Sequence, residues 1–269
     1  VNTSSTVNQD EINKFGKLAE RWWDPDGPQA MLHLMNPARI GYIRHRLGLQ
    51  FGMVAEPEST SSPLKGLSIV DIGCGGGFAS EALAKLGGNV LGVDPAEESI
   101  EVAKVHAEDQ GLLGEGKLQY QVATAEMLAE NKATFDVVCT LDTIEHVNDP
   151  TNFLCLCLSL IKPGGAMFVS SLNRTSLSYA LAIVGAEYII GFVPRGTHDW
   201  NKFVTPEELE SMVSHYEDYQ VLNSLGGASE ENTMVVEDVT GMKYDPFRMR
   251  WGLTPRDLEV NYIAHITKS

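Results

Sequence analysis

The apolar run Leu67–Ile72 breaks into Gly73-Cys74-Gly75-Gly76-Gly77, and a helical pattern, Phe78–Leu86, follows at once. No other feature narrows the fold as far. Glycines there let the backbone turn tightly and approach a ligand closely. The next apolar run, Asn89–Asp94, closes on an acidic residue 21 positions after Gly73. From that place a carboxylate accepts hydrogen bonds from both hydroxyls of a ribose. The rhythm continues through a helix at Glu97–Gln110, strands at Leu118–Val122 and Phe135–Leu141, and an apolar helix at Thr151–Ile161. Lys162-Pro163-Gly164-Gly165 then turns the chain into another strand, Ala166–Leu172. Strands alternating with helices predict an α/β fold, a doubly wound and mostly parallel sheet covered on both faces. A capped helix at Pro206–Tyr216 and strands at Met234–Val239 and Val260–Thr267 complete a seven-stranded sheet.

Charge excludes one class of partner. Lys and Arg number 20 against 36 Asp and Glu, a net charge of −16 over 269 residues. Such a chain gains no counterion-release energy on a phosphate polymer, so no nucleic-acid partner is expected. Docking on anionic lipid is disfavoured too, unless basic residues cluster locally. The four cysteines form no CxxC pair, which argues for free thiols and against a zinc knuckle. The first residues are polar and resemble no signal peptide, although a start at Val1 leaves room for a removed targeting segment. No run of about 20 apolar residues spans a bilayer as written.

Residues 1–63 read as a helical extension that folds over the core as a lid. An amphipathic helix is expected over 9–23, with Asn8 and Glu11 as a capping box and Asp24-Pro25-Asp26-Gly27-Pro28 as its stop. A second helix is expected from Pro37 to Leu47, before the polar loop Ala55–Pro63. Residues 64–269 form the main domain, with an apolar insertion at 173–199. Within it, Leu177–Val193 is nearly all apolar and is flanked by Arg174 and Arg195. It reads as an interfacial helix pair that enters a membrane surface, or as a buried helical lid over a substrate pocket.

Three acidic or basic side chains follow the fourth strand: Asp142, Glu145 and His146. The carboxyl ends of strands are where open parallel sheets bind ligands. On a helical turn these positions share one face. Three readings stay open. The group binds a hard divalent cation; His146 removes a proton from a phenol; or the histidine is structural.

The glycine loop itself discriminates between cofactors. A dinucleotide site reads G-x-G-x-x-G, but Phe78 stands where the third small residue belongs. The loop is G-x-G-x-G preceded by Val70-Asp71, and it resembles the nucleoside loop of class I S-adenosylmethionine (SAM) methyltransferases. The Pro163-Gly164-Gly165 turn is similar to that family's as well. This resemblance implies a Rossmann-like sheet with a reversed last strand, and it implies that Ala125-Glu126-Met127 flank the adenine. The alternatives are an NAD-dependent oxidoreductase and a non-catalytic, membrane-associated subunit that keeps the SAM fold.

The outer segments narrow the resemblance. Arg21-Trp22-Trp23-Asp24, Leu32-His33-Leu34-Met35-Asn36-Pro37-Ala38-Arg39, Val184-Gly185-Ala186-Glu187-Tyr188-Ile189, Val193-Pro194-Arg195-Gly196-Thr197-His198, and Met242-Lys243-Tyr244-Asp245-Pro246 resemble the ubiquinone-biosynthesis O-methyltransferases. The resemblance implies methylation of catechol-type hydroxyls on polyprenylated dihydroxybenzoate and demethylubiquinol intermediates. It implies SAM contacts at Arg39, Gly73, Gly75, Asp94 and Leu141. It also implies a divalent metal, magnesium, at Asp142, Glu145 and His146, with Glu145 and His146 as catalytic residues. Contact with other proteins of the pathway is a further implication. The location implied is the matrix side of the mitochondrial inner membrane for a eukaryotic source, or membrane association in the cytoplasm for a bacterial one. Two departures stand out: the family usually has Glu at position 142, and Gly226–Thr233 resembles an insertion. Trp22 and Trp23 read as core anchors rather than ligand contacts.

Overall fold

A computed structural model describes residues 5–52, 62–190, 196–216 and 233–269. The 226–233 insertion, apart from Thr233, lies outside them, as do Arg195 and most of the polar loop before the main domain. Seven of the strands overlap those expected: β1 (Ser68–Ile72), β2 (Asn89–Asp94), β3 (Leu118–Val122), β4 (Phe135–Leu141), β5 (Ile161–Leu172), β6 (Met234–Asp245) and the last, β8 (Asn261–Lys268), although β5 begins at Ile161 and takes in the Lys162–Gly165 segment expected as a turn. The expected seven-stranded sheet has an eighth strand, β7 (Arg250–Thr254), which pairs antiparallel with a longer β6 to make a hairpin. Its sequence, RWGLT, has too little alternation to declare a strand, and pairing with β6 defines it. The order is β3-β2-β1-β4-β5-β8-β6-β7. β1 to β5 pair parallel, and β8 runs antiparallel between β5 and β6.

Helices clothe both faces: α3 (Phe78–Lys85), α4 (Glu97–Asp109), α5 (Ala125–Glu130), α6 (Pro150–Ser159) and α8 (Pro206–Ser214). Neighbouring strand residues therefore enter opposite cores. Ile69, Val137 and Phe168 join Leu83, Ile100 and Leu47 on one side. Val70, Val138 and Val169 join Phe153, Leu158 and Leu209 on the other. Burial on both sides explains why these strands read as continuous apolar runs. Thr205 caps α8 in a reciprocal box with Glu208.

The extension supplies α1 (Gln9–Leu18), one tighter turn at Ala19–Arg21, and α2 (Ala30–Gln50). Asn8 caps α1, accepting from the backbone N–H groups of Asp10 and Glu11. α2 starts seven residues before the expected Pro37, which lies inside it. An interior proline removes one helical hydrogen bond. Burial of Met35, Arg39, Ile40 and Ile43, with the Asn36 amide donating to the Phe78 carbonyl at 2.8 Å, holds the helix through that break. After β5, a single turn α7 (Ser176–Ser178) runs on as π-helical backbone over Tyr179–Ile190. No helix among the described residues is long and apolar enough to cross a membrane.

Candidate active site

A cleft opens at the carboxyl ends of β1, β2 and β4. The glycine loop is its floor. Gly73, Gly75 and Gly77 all have positive φ, at 74°, 52° and 95°. Their neighbours add a second constraint. A Cβ on Gly73 would strike Thr143, one on Gly75 or Gly76 the indole of Trp22, and one on Gly77 the Tyr120 hydroxyl. Trp22 is thus both a buried anchor and a wall of the cleft. Trp23 donates its indole N–H to the Gly76 carbonyl at 2.9 Å and stacks on His106.

Asp94 ends β2 at the cleft. One carboxylate oxygen accepts from Gly75 N–H at 3.0 Å and the other from Ala96 N–H at 2.8 Å. Burial raises its pKa, and those two N–H groups oppose the rise. Asp71 lies deeper, 2% exposed, with the Ser80 hydroxyl donating to it at 2.6 Å. Burial pushes it up to about 6 despite that bond. Asp71, Asp94, Asp142, Glu11 and Glu126 line the cleft with Arg39 as the cation among them. This excess of carboxylates suits a ligand with net positive charge.

Arg39 reaches the cleft from α2, 3% exposed, and its Nη1 donates to Asp142 Oδ2 at 2.6 Å. Asp142 has φ 55°, a left-handed conformation that few non-glycine residues adopt. It is held there by Ser170, whose hydroxyl donates to Asp142 Oδ1 at 2.8 Å and whose carbonyl accepts the Asp142 N–H at 3.0 Å. Arg39 Nε is buried without a partner. A guanidinium N–H stranded beside the glycine loop fits the amino-acid carboxylate of SAM. Leu141, 8% exposed, forms the apolar wall next to it.

His146 and Glu145 part company. A tight 3-10 turn spans Ile144–His146, so the helical-face argument fails: Asp142 stands outside the turn in a left-handed conformation. Glu145 is 3% exposed, and one of its oxygens is buried without a partner. Burial, aided by the Asp142 charge, raises its pKa, while His146 opposes the rise. His146 lines the cleft, and its Nδ1 lies 3.0 Å from Glu11 Oε2. Glu11 comes from α1, across the cleft. Burial works against its ionisation, yet the His146 contact and Lys14 outweigh it and hold Glu11 down at about 2. A carboxylate there accepts Nδ1–H and leaves the lone pair on Nε2. The His198 ring lies 6.4 Å from that of His146, held by Glu187 through both its N–H and Nδ1.

The residues expected to share a cation are therefore not gathered. Asp142 is committed to Arg39 and Ser170, Glu145 is buried beneath the turn, and His146 faces Glu11. Among the described residues no group of three or more His, Cys, Asp or Glu side chains is placed to hold a metal ion. The donor types suit a divalent cation, but their placement here does not.

Glu11 is the site residue that the sequence reading misplaced. Its position fits a capping box, and only the fold shows the side chain turned to His146. Thr6 carries no sequence signal; its N–H and hydroxyl donate to Glu126 at 2.8 and 2.6 Å, while Asn148 donates to the Thr6 and Val7 carbonyls. These contacts strap the extension over the cleft beside the segment where the resemblance puts the adenine.

A Rossmann-like sheet with an inserted antiparallel last strand, a triple-glycine turn and an acidic strand end define a SAM-dependent methyltransferase. A methyltransferase domain family matches residues 70–169. The chain is 42% identical to the ubiquinone biosynthesis O-methyltransferase of Dinoroseobacter shibae, over 97% of this chain and 96% of that protein. It is 43% identical to the same-named protein of Methylobacterium nodulans, over 97% and 95%. It belongs to the ubiquinone biosynthesis O-methyltransferase family. Among solved structures, the magnesium protoporphyrin IX methyltransferase of Synechocystis PCC 6803 with bound SAH shares the fold, with TM-score 0.56, 15% identity, and 99% and 90% of the two chains covered. A SAM-dependent methyltransferase from Aquifex aeolicus does so with TM-score 0.55, 16% identity, and 96% and 98% covered.

Proposed function

We propose that this chain methylates a catechol-type hydroxyl on polyprenylated dihydroxybenzoate and demethylubiquinol intermediates of ubiquinone biosynthesis. The observation that carries the reading is the Glu11–His146 pair, set at 3.0 Å across a cleft floored by the glycine loop. Bound SAM supplies a methyl group on a sulfonium, which an oxygen nucleophile attacks. The chain's residues do the rest. Arg39 receives the amino-acid carboxylate, Asp94 the ribose, Gly73 and Gly75 give backbone access, and Leu141 packs against the nucleoside. His146 Nε2 takes the phenolic proton, and Glu11 holds the ring in the tautomer that allows it. Glu145 is a positioning residue beneath His146. Alignment of acceptor and methyl group supplies much of the rate.

Residues 1–63 act in this reading as a catalytic lid on the 64–269 domain, because Glu11, Trp22 and Arg39 all come from them. A long prenyl tail calls for a membrane surface. Leu177, Tyr179 and Leu181 in the 177–193 segment are 43%, 49% and 53% exposed, which supports contact there. The bacterial origin of the relatives favours the bacterial location over the mitochondrial one. The cation at Asp142, Glu145 and His146 is not part of this reading.

The test is methyl transfer to a short-chain prenylated dihydroxybenzoate, followed by mass spectrometry, with and without a chelator. A monomethylated product in both arms is expected. No product in either arm contradicts the reading, and loss confined to the chelated arm restores the cation.

A further inference from the structure

Arg174 brackets the apolar 177–190 segment, but its guanidinium is consumed internally: it pairs with Glu208 and donates to the Phe203 carbonyl. Among the described residues, a lipid-facing surface draws its positive charge from a second element. The β6–β7 hairpin supplies it. Phe247 at its tip is 97% exposed and Met249 68%. Residues 243–259 carry four basic side chains, Lys243, Arg248, Arg250 and Arg256, against Asp245, Asp257 and Glu259, on a chain of net charge −16. Lys243 pairs with Asp257 and Arg248 with Asp245 in exposed ion pairs, which cost little to exchange for lipid phosphate, and Arg250 forms no ion pair among the described residues.

The sheet register fixes where the tip points. Leu172 of β5 and Met242 of β6 both pair with Asn261, so they are level at the carboxyl edge of the sheet. β6 continues to Asp245, which carries the turn about 10 Å beyond that edge. The cleft opens on the same edge. Asn173 and Thr175 bond the Leu258 and Glu259 carbonyls, so the chain leaving the hairpin borders the start of the apolar segment. Exposed Leu177 and Leu181 thus share an edge of the molecule with Phe247 and Met249.

We propose that the β6–β7 hairpin is a membrane anchor, in which Phe247 and Met249 enter the headgroup boundary and Arg248 and Arg250 engage lipid phosphates. Aromatic and apolar tips flanked by cations are the composition that binds an anionic interface. Pairing of two copies through their tips would bring the Arg248 and Arg250 charges together, which disfavours that occupant. The proposal rests on the reading of a polyprenylated acceptor, since it sets the mouth of the cleft against the phase that holds such a tail.

The experiment compares the full chain with a Phe247→Asp/Arg248→Glu double variant. Neither residue lines the cleft, so methyl transfer to a water-soluble dihydroxybenzoate serves as the folding control. Flotation uses phosphatidylcholine vesicles with and without about one-third phosphatidylglycerol. The full chain should partition onto the anionic vesicles, and the variant about tenfold less, with the soluble reaction unchanged. Equal partition of the two proteins overturns the proposal. So does a dimer, seen by sedimentation velocity, that the variant loses while vesicle binding persists. If neither protein methylates the soluble acceptor, but the two give matching circular dichroism and thermal unfolding and the variant alone loses vesicle binding, the functional reading fails and the anchor stands.

Discussion

His146→Gln is expected to lower kcat by about 10² to 10⁴ while leaving the dissociation constant for SAM within about twofold. His146 lines the cleft with Nδ1 on Glu11, so the variant keeps the glycine loop, Arg39 and Asp94 intact. It loses the group that takes the phenolic proton. Single-turnover rates with SAM saturating, beside calorimetric titration of SAM, separate the two effects. Equal losses in both would make His146 a structural residue of the cofactor pocket.

Arg39→Ala is expected to weaken SAM binding at least tenfold and also to destabilise the protein. The guanidinium and Asp142 form a buried pair, 4% and 14% exposed at their side chains. Breaking one side of such a pair leaves a buried charge without compensation, at a cost of roughly 3–5 kcal/mol. Asp142→Asn should relieve part of that loss in the Arg39→Ala background, because it removes the stranded charge. Urea unfolding of both variants checks the stability, and SAM titration of Arg39→Lys checks the role. Lysine keeps the charge but not the paired N–H geometry, so its stability should recover further than its SAM affinity. Unchanged SAM affinity in Arg39→Ala would remove the residue from the cofactor site.

The core of the fold was legible because both faces of the sheet are buried. β2 and β4 are short apolar runs with no competing pattern, and β3, at the sheet edge, alternates buried Leu118 and Tyr120 with exposed glutamines, so their limits can be read directly. Gly73, Gly75, Gly77 and Asp94 were legible because positive φ and close approach permit few residue types. The differences share a cause: local spacing does not determine long-range contacts. Glu11 sits three residues after Asn8, as a capping box requires, yet it serves His146, 135 positions away. Asp142, Glu145 and His146 have the spacing of one helical face. The left-handed Asp142 and the 3-10 turn take them out of it. Pro37 suggested a helix start, but burial of the flanking turns overrides the lost hydrogen bond.

Trp22 illustrates how one residue can satisfy two readings. It is 7% exposed, as a core anchor should be, and its ring rests on Gly75 and Gly76 at the wall of the cleft. The extra glycine in the loop is therefore explained in part by a side chain of the extension and not by a ligand alone. The extension and the loop depend on each other, which makes the lid part of the site.

The central claim, that α1 completes the catalytic site, is tested most directly by a double-mutant cycle on kcat. Wild type, Glu11→Gln, His146→Gln and the double variant are compared at saturating SAM and acceptor. If Glu11 acts by holding His146, Glu11→Gln should cost about tenfold or more in the wild-type background and almost nothing once His146 is gone. Fully additive losses would contradict the account, since they would mean that the two residues act independently.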